Sequence, residues 1–183
     1  MNLEHDRYPI GRFQRCAGPL ERSQRMTLID DVERAPAGIR ALVEGLTEQQ
    51  LEVRYREDGW TIRQVVHHVA DSHMNSYVRM KLAITESEPP KVNAYDEAQW
   101  AELPDARALP VSVSLDLLTA LHERWVHFLR QLSDADFARA YIHSEFGTFP
   151  LYDALALYAW HGRHHAGHIV NALGRGTNAK VSR

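Results

Sequence analysis

Helical periodicity is clearest in the segment TIRQVVHHVADSHMNSYVRMKLAIT, residues 61–85. Its apolar side chains recur at intervals of three and four residues, which places them on one face of an α-helix. These side chains are Ile62, Val65, Val66, Val69, Tyr77, Met80 and Ile84. Thr61 is a suitable N-cap, and the pair Pro89-Pro90 prevents the helix from continuing. The segment is therefore predicted to form one long amphipathic helix.

Three other segments have the same periodicity. One begins at Ser23, one runs from Ser114 to about Ser133, and one begins at Leu151 with Gly174 as its expected end. Four long amphipathic helices in a chain of 183 residues favour an all-α fold, a four-helix bundle. In such bundles, metal and ligand sites lie between facing helices.

The connections between the long helices are expected to contain short elements. Thr47 and Ser133 can each cap a brief helical turn, and residues 96–103 can form a short helix. Aromatic and β-branched residues on both sides of Gly147 predict a small hairpin.

The chain is predicted to be a single domain over residues 1–183. Residues 1–20 contain prolines and glycines without periodicity, so they are expected to form an extended N-terminal arm over the helices. Residues 23–174 are assigned to the helical bundle and residues 175–183 to a polar tail.

The composition disfavours several classes of partner. A net charge of −3, with 44% hydrophobic and 25% charged residues, gives no basic surface for nucleic acid or for an anionic membrane. The start of the chain lacks the pattern of a signal peptide, and no apolar run is long enough to span a bilayer. With Cys16 as the single cysteine, a metal site must use histidines and carboxylates. A soluble, cytoplasmic protein is expected.

The segment WHGRHHAGH, residues 160–168, contains four histidines within about two helical turns. Residues i and i+4 share one face of a helix, so the imidazoles of His161 and His165 can reach a common point. His168 lies one step further along the same side, whereas His164 points toward the outer flank. Neutral imidazole binds zinc, nickel or iron, so the pair predicts half of a metal site that needs one more ligand from another helix.

The helix predicted over residues 61–85 offers two candidates for that ligand. His73 lies almost on the inward face, so periodicity alone favours it. His68 instead begins a polar ridge along the flank of that face, as expected for the lining of a cleft. The other members of this ridge are Ser72, Asn75 and Arg79. In a chain with 11 histidines, a pair at i and i+4 can also arise by chance. The alternative to metal binding is that these histidines form hydrogen bonds and have only a structural role.

Two segments resemble the DinB-like superfamily. They are GWTIRQVVHHVADSHMNSYVRMKLAITE, residues 59–86, and LYDALALYAWHGRHHAGHI, residues 151–169. Within this superfamily the chain is most similar to the metal-dependent hydrolases of the YfiT type. The similarity extends to RYPIGRF in the N-terminal arm and to AYDEAQWAEL around Trp100, so it covers nearly the whole chain.

The resemblance implies a set of metal ligands. In that family a four-helix bundle holds one divalent ion through three histidines: one on the second helix, eight residues after a tryptophan, and two on the fourth helix at i and i+4. The matching positions are His68, His161 and His165. The resemblance therefore favours His68 over His73. It implies one divalent ion per subunit, with zinc expected and nickel as the alternative, because imidazoles accept both.

Three histidines without a fourth protein ligand leave coordination positions open for water or substrate. The resemblance thus implies a metal-dependent hydrolase that uses the ion to activate water and acts on a small molecule as a homodimer. Two alternatives stay open. One is a metal-dependent thiol S-transferase that activates a low-molecular-weight thiol of the bacillithiol kind, and the other is a non-catalytic, metal-stabilised binding module.

A hydrolase also needs a general base, and the sequence lacks the His-Glu-x-x-His pattern that would supply one beside the metal. His168 is the candidate catalytic residue because it lies near the predicted ligands. Asp71 is a weaker candidate, since it points about half a turn away from the inward face of its helix. No serine or cysteine lies in a recognisable nucleophile motif, so the metal ion is expected to activate the nucleophile, a bound water molecule.

Overall fold

The computed structural model describes residues 3–181 and consists mainly of helices. In chain order these are α1 (Leu3–Arg7), α2 (Arg22–Val43), α3 (Glu48–Leu51), α4 (Ile62–Thr85), α5 (Glu97–Trp100), α6 (Pro104–Ala108), α7 (Val111–Gln131), α8 (Asp134–Ala138) and α9 (Leu151–Val181). The four long helices α2, α4, α7 and α9 pack side by side. The predicted four-helix bundle is confirmed.

The start of α4 is fixed by a capping box. The hydroxyl of Thr61 accepts a hydrogen bond from the backbone N–H of Gln64 at 3.2 Å, and the side-chain oxygen of Gln64 accepts one from the N–H of Thr61 at 3.0 Å. Two N–H groups that lack helical partners are thereby satisfied. The amide of Gln64 also donates to the carbonyl of Ala101 at 2.7 Å, which ties the segment after α5 to this end of the bundle.

The arrangement of the long helices does not follow their order in the chain. α2 packs against α7 and α9, and α4 packs against the same two helices. α4 and α9 are therefore neighbours, although α5 to α8 lie between them in sequence. α2 and α9 approach closely because Gly162 faces Ala35, where a Cβ on the glycine would lie 3.0 Å from the alanine Cβ.

The apolar faces of the long helices form two groups of buried side chains. One surrounds Trp125, which is fully buried and donates its indole N–H to the sulfur of Met80 at 3.2 Å. The other lies toward the start of α4 and includes Ile62, Val66 and Ile169. The histidines described below lie where α4 and α9 face each other.

A small sheet lies beside the bundle. Its strands are β1 (Lys91–Val92), β2 (Ala140–His143) and β3 (Gly147–Pro150). β2 and β3 are antiparallel and confirm the predicted hairpin, in which Gly147 has a φ of 66° that favours glycine. β1 pairs with β2 in parallel, and it was not predicted because two residues are too few to show periodicity.

The N-terminal arm lies against the last helix of its own chain. After α1 it has little regular structure up to α2. The N–H of Cys16 donates to the carboxylate of Asp153 at 2.9 Å, and Pro9 packs so closely on Gly167 that a Cβ there would lie 2.8 Å from the proline ring. The arm is thereby held over α9.

The last helix is longer than predicted. α9 continues through Gly174 to Val181, so most of the segment predicted as a polar tail, residues 175–183, is helical. The reason lies in the arm, since Arg175 pairs with Asp6 and anchors the turn that follows Gly174. Residues 1–2 of the predicted arm and 182–183 of the predicted tail lie outside the described residues. Across the described helices, none is both long and apolar enough to cross a membrane.

Candidate metal centre

Three histidines from two helices meet inside the bundle. His68 comes from α4, and His161 and His165 come from adjacent turns of α9. One ring nitrogen of each lies within 4.8 Å of those of the other two. All three side chains are buried, with relative exposures of 5%, 9% and 6%. The structure therefore brings together the three residues that the family resemblance selected.

The packing of α4 on α9 and a tryptophan before α4 give the cluster its shape. The ring of Trp60 lies 4.5 Å from that of His68 and 6.3 Å from that of His165, nearly parallel to the latter. The ring centroids of His161 and His165 are 4.4 Å apart, as the i, i+4 spacing requires. Aromatic packing thus restricts the orientations of two of the three imidazoles.

Burial keeps these imidazoles neutral. Desolvation lowers the pKa of His68 to about 3 and the pKa values of His161 and His165 well below the usual 6.5, and the neighbouring histidines add to the effect. Near pH 7 each ring therefore has one N–H and one nitrogen with a free lone pair. The neutral ring is the form that binds a metal ion, so this donor set fits a divalent transition metal without carboxylates.

His73, which periodicity alone favoured, does not join the cluster. It is completely buried, and both ring nitrogens are engaged: Nδ1 lies 2.7 Å from Nε2 of His122, and Nε2 lies 3.0 Å from Nδ1 of His161. His73 thus contacts His161, a member of the cluster, without belonging to the cluster itself. Sequence reasoning missed His122, whose only signal was a histidine next to the apolar stripe of α7.

A second group of histidines shares one member with the first. His164, His165 and His168 also have ring nitrogens within 4.8 Å of one another. The ring of His164 stacks on Trp160 at 4.2 Å and is buried, so it does not point away from its neighbours as the sequence predicted. Both groups contain His165, and its neutral ring has one lone pair for a metal ion. The two groups therefore cannot both bind an ion through His165 at the same time.

His168, the predicted catalytic residue, has no free nitrogen. Its Nδ1 lies 3.2 Å from Nδ1 of His165, and its Nε2 lies 3.1 Å from the backbone carbonyl of Arg7. Its ring also stacks on Tyr55 at 3.9 Å. A general base needs a lone pair that can reach the substrate. The geometry therefore does not support His168 as a general base. Instead, His168 contacts His165 through its Nδ1.

A cavity of about 620 Å³ opens beside the cluster and reaches His161. Ser72 and Arg79 of the predicted polar ridge line it, as expected for a cleft, whereas Asn75 instead donates its amide to the carbonyl of Asp71 at 2.9 Å. Tyr158 of α9 also lines the cavity. Sequence reasoning missed much of the remaining lining, because it comes from the segment after α4, up to the start of α5, and from the hairpin. These residues include Tyr95, Glu97, Tyr141, His143 and Glu145.

Asp71, the weaker candidate for a base, lies outside the lining of this cavity. It is half-buried, and desolvation, followed by the charge of Asp105, raises the pKa of its carboxyl to about 6.

Comparison with known sequences gives consistent matches over most of the chain. The profile of the DinB superfamily matches residues 31–169. A Bacillus cereus (strain 03BB102) protein named "Putative metal-dependent hydrolase" is 48% identical over 165 residues, which cover 90% of this chain and 94% of that protein. An Oceanobacillus iheyensis protein of the same name is 45% identical over 171 residues, covering 93% and 98%.

Solved structures agree with these matches. YfiT from Bacillus subtilis, described as "a probable metal-dependent hydrolase with an unusual four-helix bundle topology", superposes with a TM-score of 0.90 at 43% identity, over 94% of this chain and 98% of that one. The four-helix bundle protein TT2238 superposes with a TM-score of 0.53 at 19% identity and is similar in fold alone.

Proposed function

The chain belongs to the DinB superfamily, and from that premise we propose that it is a metal-dependent hydrolase whose divalent ion is held by His68, His161 and His165. The observation that carries the proposal is the cluster itself. Three buried, neutral imidazoles from two helices lie within 4.8 Å of one another, and one of them, His161, lines a cavity. The names of relatives that are nearly half identical support metal dependence.

Zinc is the ion that we propose, with nickel as the alternative, at one ion per subunit. Such an ion supplies Lewis acidity, lowering the pKa of a water molecule to about 7 and polarising a carbonyl or phosphoryl oxygen. The three histidines would hold the ion, and the indole of Trp60 packs against two of them, His68 and His165.

The cavity supports a small, polar substrate. Its volume of about 620 Å³ lies within the usual range of small-molecule pockets. The guanidinium of Arg79 gives the lining a positive charge, and Oγ of Ser72 lies 3.4 Å from the hydroxyl of Tyr158 and 3.5 Å from Nε2 of His161. We propose that these groups orient the substrate next to the ion through hydrogen bonds to its oxygen atoms.

The ligand assignment is tested with His165→Ala and His164→Ala, two changes at adjacent buried positions of α9. The first removes a proposed ligand and is expected to lower metal content sharply, from about one ion per chain to a small fraction, whereas the second leaves it nearly unchanged. Elemental analysis of the purified variants measures this. Full metal content in both variants would show that the assignment is wrong.

One feature of the cluster favours a second candidate, a thiol S-transferase. Because the three proposed ligands are neutral, the charge of a divalent ion stays uncompensated, and an anionic thiolate is a good further ligand. The two functions are separated by incubating the zinc-loaded protein with a cellular thiol and an electrophile. Formation of the thioether supports the transferase, and turnover of ester, amide or phosphoester substrates without a thiol supports the hydrolase.

A non-catalytic binding module is the remaining alternative. It predicts that the loaded protein turns over none of these substrates and that a structure with metal has no open coordination position.

Covalent catalysis by the single thiol is not part of the proposal, because burial and the nearby Asp153 raise the pKa of Cys16 to about 11.

We further propose that the protein acts in the cytoplasm as a homodimer.

A further inference from the structure

A chain of hydrogen-bonded histidines crosses the bundle behind the metal cluster. It begins at the backbone carbonyl of Val32 on α2, which lies 2.6 Å from Nδ1 of His122. Nε2 of His122 lies 2.7 Å from Nδ1 of His73, and Nε2 of His73 lies 3.0 Å from Nδ1 of His161. Every ring in the chain is buried, so no solvent competes for these contacts.

The carbonyl at one end gives this chain a direction. A carbonyl oxygen only accepts, so Nδ1 of His122 must be the donor, and the Nε2 of a neutral His122 is then an acceptor. His73 consequently donates from Nδ1 and accepts at Nε2, and His161 donates from Nδ1. The remaining nitrogen of His161, Nε2, then has the lone pair, and the hydroxyl of Ser72 lies 3.5 Å from it.

A second, shorter chain ends at His165 in the same way. The backbone carbonyl of Arg7 in α1 lies 3.1 Å from Nε2 of His168, which must therefore be the donor. The Nδ1 of a neutral His168 accepts from Nδ1 of His165 at 3.2 Å. Nε2 of His165 is again the nitrogen with the free lone pair. Two independent chains, each ending at a different carbonyl, thus give the same result at two of the three proposed ligands.

We propose that these two chains are positioning networks for the metal centre, in which His73, His122 and His168 fix His161 and His165 as Nδ1–H tautomers so that both bind through Nε2. This inference rests on the proposed function for the identity of the ligands. Free histidine in water prefers the Nε2–H tautomer, so an unassisted site would have to change tautomer whenever it binds an ion. The networks make that change of tautomer unnecessary and fix the orientation of the imidazole rings of His161 and His165.

The same geometry argues against a second ion among His164, His165 and His168. Such an ion would need a lone pair on Nδ1 of His165 in addition to the one on Nε2, and it would replace the hydrogen bond to His168. In the proposed networks Nδ1 of His165 has a proton. One ion per chain is therefore expected.

The tautomers are measured directly by nitrogen-15 NMR on the metal-free protein near pH 7, through the long-range couplings of the imidazole nitrogens. His73, His122, His161 and His165 are expected as Nδ1–H tautomers and His168 as the Nε2–H tautomer. The Nε2–H tautomer at His161 or at His165 would overturn the inference. The measurement needs no bound ion, so it stands even if the metal-dependent function fails.

Matched variants test the effect on binding. His73→Leu and His168→Leu each remove a network member and are expected to weaken zinc affinity about 10- to 100-fold, as measured by competition with a chromogenic chelator. The side-chain amide of glutamine can both donate and accept, so His73→Gln and His168→Gln should recover most of the loss. His164→Leu is the control on the same helix and should bind zinc like the original protein.

Two outcomes of this series contradict the inference. Equal affinity of the leucine variants and the original protein would show that the networks do not support binding, and equal losses with leucine and glutamine would show a purely structural role. If the original protein binds no zinc, nickel or other divalent ion while the NMR tautomers are as expected, it is the proposed function that fails.

Discussion

Asp71 illustrates how a single half-buried group couples stability to pH. Desolvation raises the pKa of its carboxyl from 3.8 to about 6, so the folded state holds the proton more tightly than the unfolded chain does. Folding is therefore penalised above about pH 6, where the carboxylate is charged in both states, and the penalty disappears below about pH 4.

Asp71→Asn removes this penalty. We expect a gain on the order of 1 kcal/mol in the free energy of unfolding at pH 7.5, reduced by solvent screening of a half-exposed group, and no gain at pH 4. Urea unfolding at both pH values measures it. Glu123→Gln, at an exposed position of α7, is the control, and an equal gain for Asp71→Asn at both pH values would contradict the pKa explanation.

At the residue scale, the helical position of a histidine proved a poorer guide to metal binding than the hydrogen bonds that its ring nitrogens make. Periodicity placed His73 almost on the inward face of α4, and the structure indeed buries it completely. Both of its nitrogens are nevertheless engaged by other histidines, whereas His68 lies beside His165 with a ring-centroid distance of 4.8 Å. Hydrogen bonds from α7 and α9 decide this, and no local pattern in α4 encodes them.

At the scale of single elements, local signals predicted most boundaries correctly. Thr61 caps α4, Thr47 caps α3 and Ser133 caps α8, each through its own side-chain oxygen. A cap depends on residues three positions apart, so it can be read from the chain directly. Gly174 failed as a helix end because a distant ion pair between Arg175 and Asp6 stabilises the continuation of α9.

The cap of α4 gives a prediction about stability. Thr61→Ala removes the acceptor for the N–H of Gln64 and should lower the free energy of unfolding by about 0.5 to 2 kcal/mol. Thr85→Ala, at the exposed opposite end of the same helix, should change it by less than about 0.5 kcal/mol. Denaturant midpoints of the two variants provide the comparison. Identical midpoints would mean that the capping box contributes nothing to stability.

At the scale of the whole molecule, the order of the helices in space creates the site. α4 packs on α7 and α9 and so places His68 opposite the histidines of α9. The arm contributes as well, because the carbonyl of Arg7 holds His168. The cavity beside His161 forms only where the hairpin and the segment after α4 meet the bundle.

The proposed homodimer is tested at this scale. Met74, Val78 and Leu82 lie one turn apart on α4 and are 38%, 49% and 37% exposed, which gives α4 an apolar outer face suited to a partner. Light scattering after size exclusion should give the mass of two chains. Val78→Lys should reduce it to one, and Val170→Lys on α9 should not. A single-chain mass for the original protein would rule the dimer out.

The sequence by itself determined the four long helices, the caps of α3, α4 and α8, the hairpin and the histidine pair of α9, because each depends on residues close together in the chain. Its resemblance to a family pointed to His68. Only the tertiary structure decided which helices are neighbours, which nitrogens are engaged and which groups line the cavity. These features join residues far apart in the chain, and their geometry follows from close packing of all the elements at once.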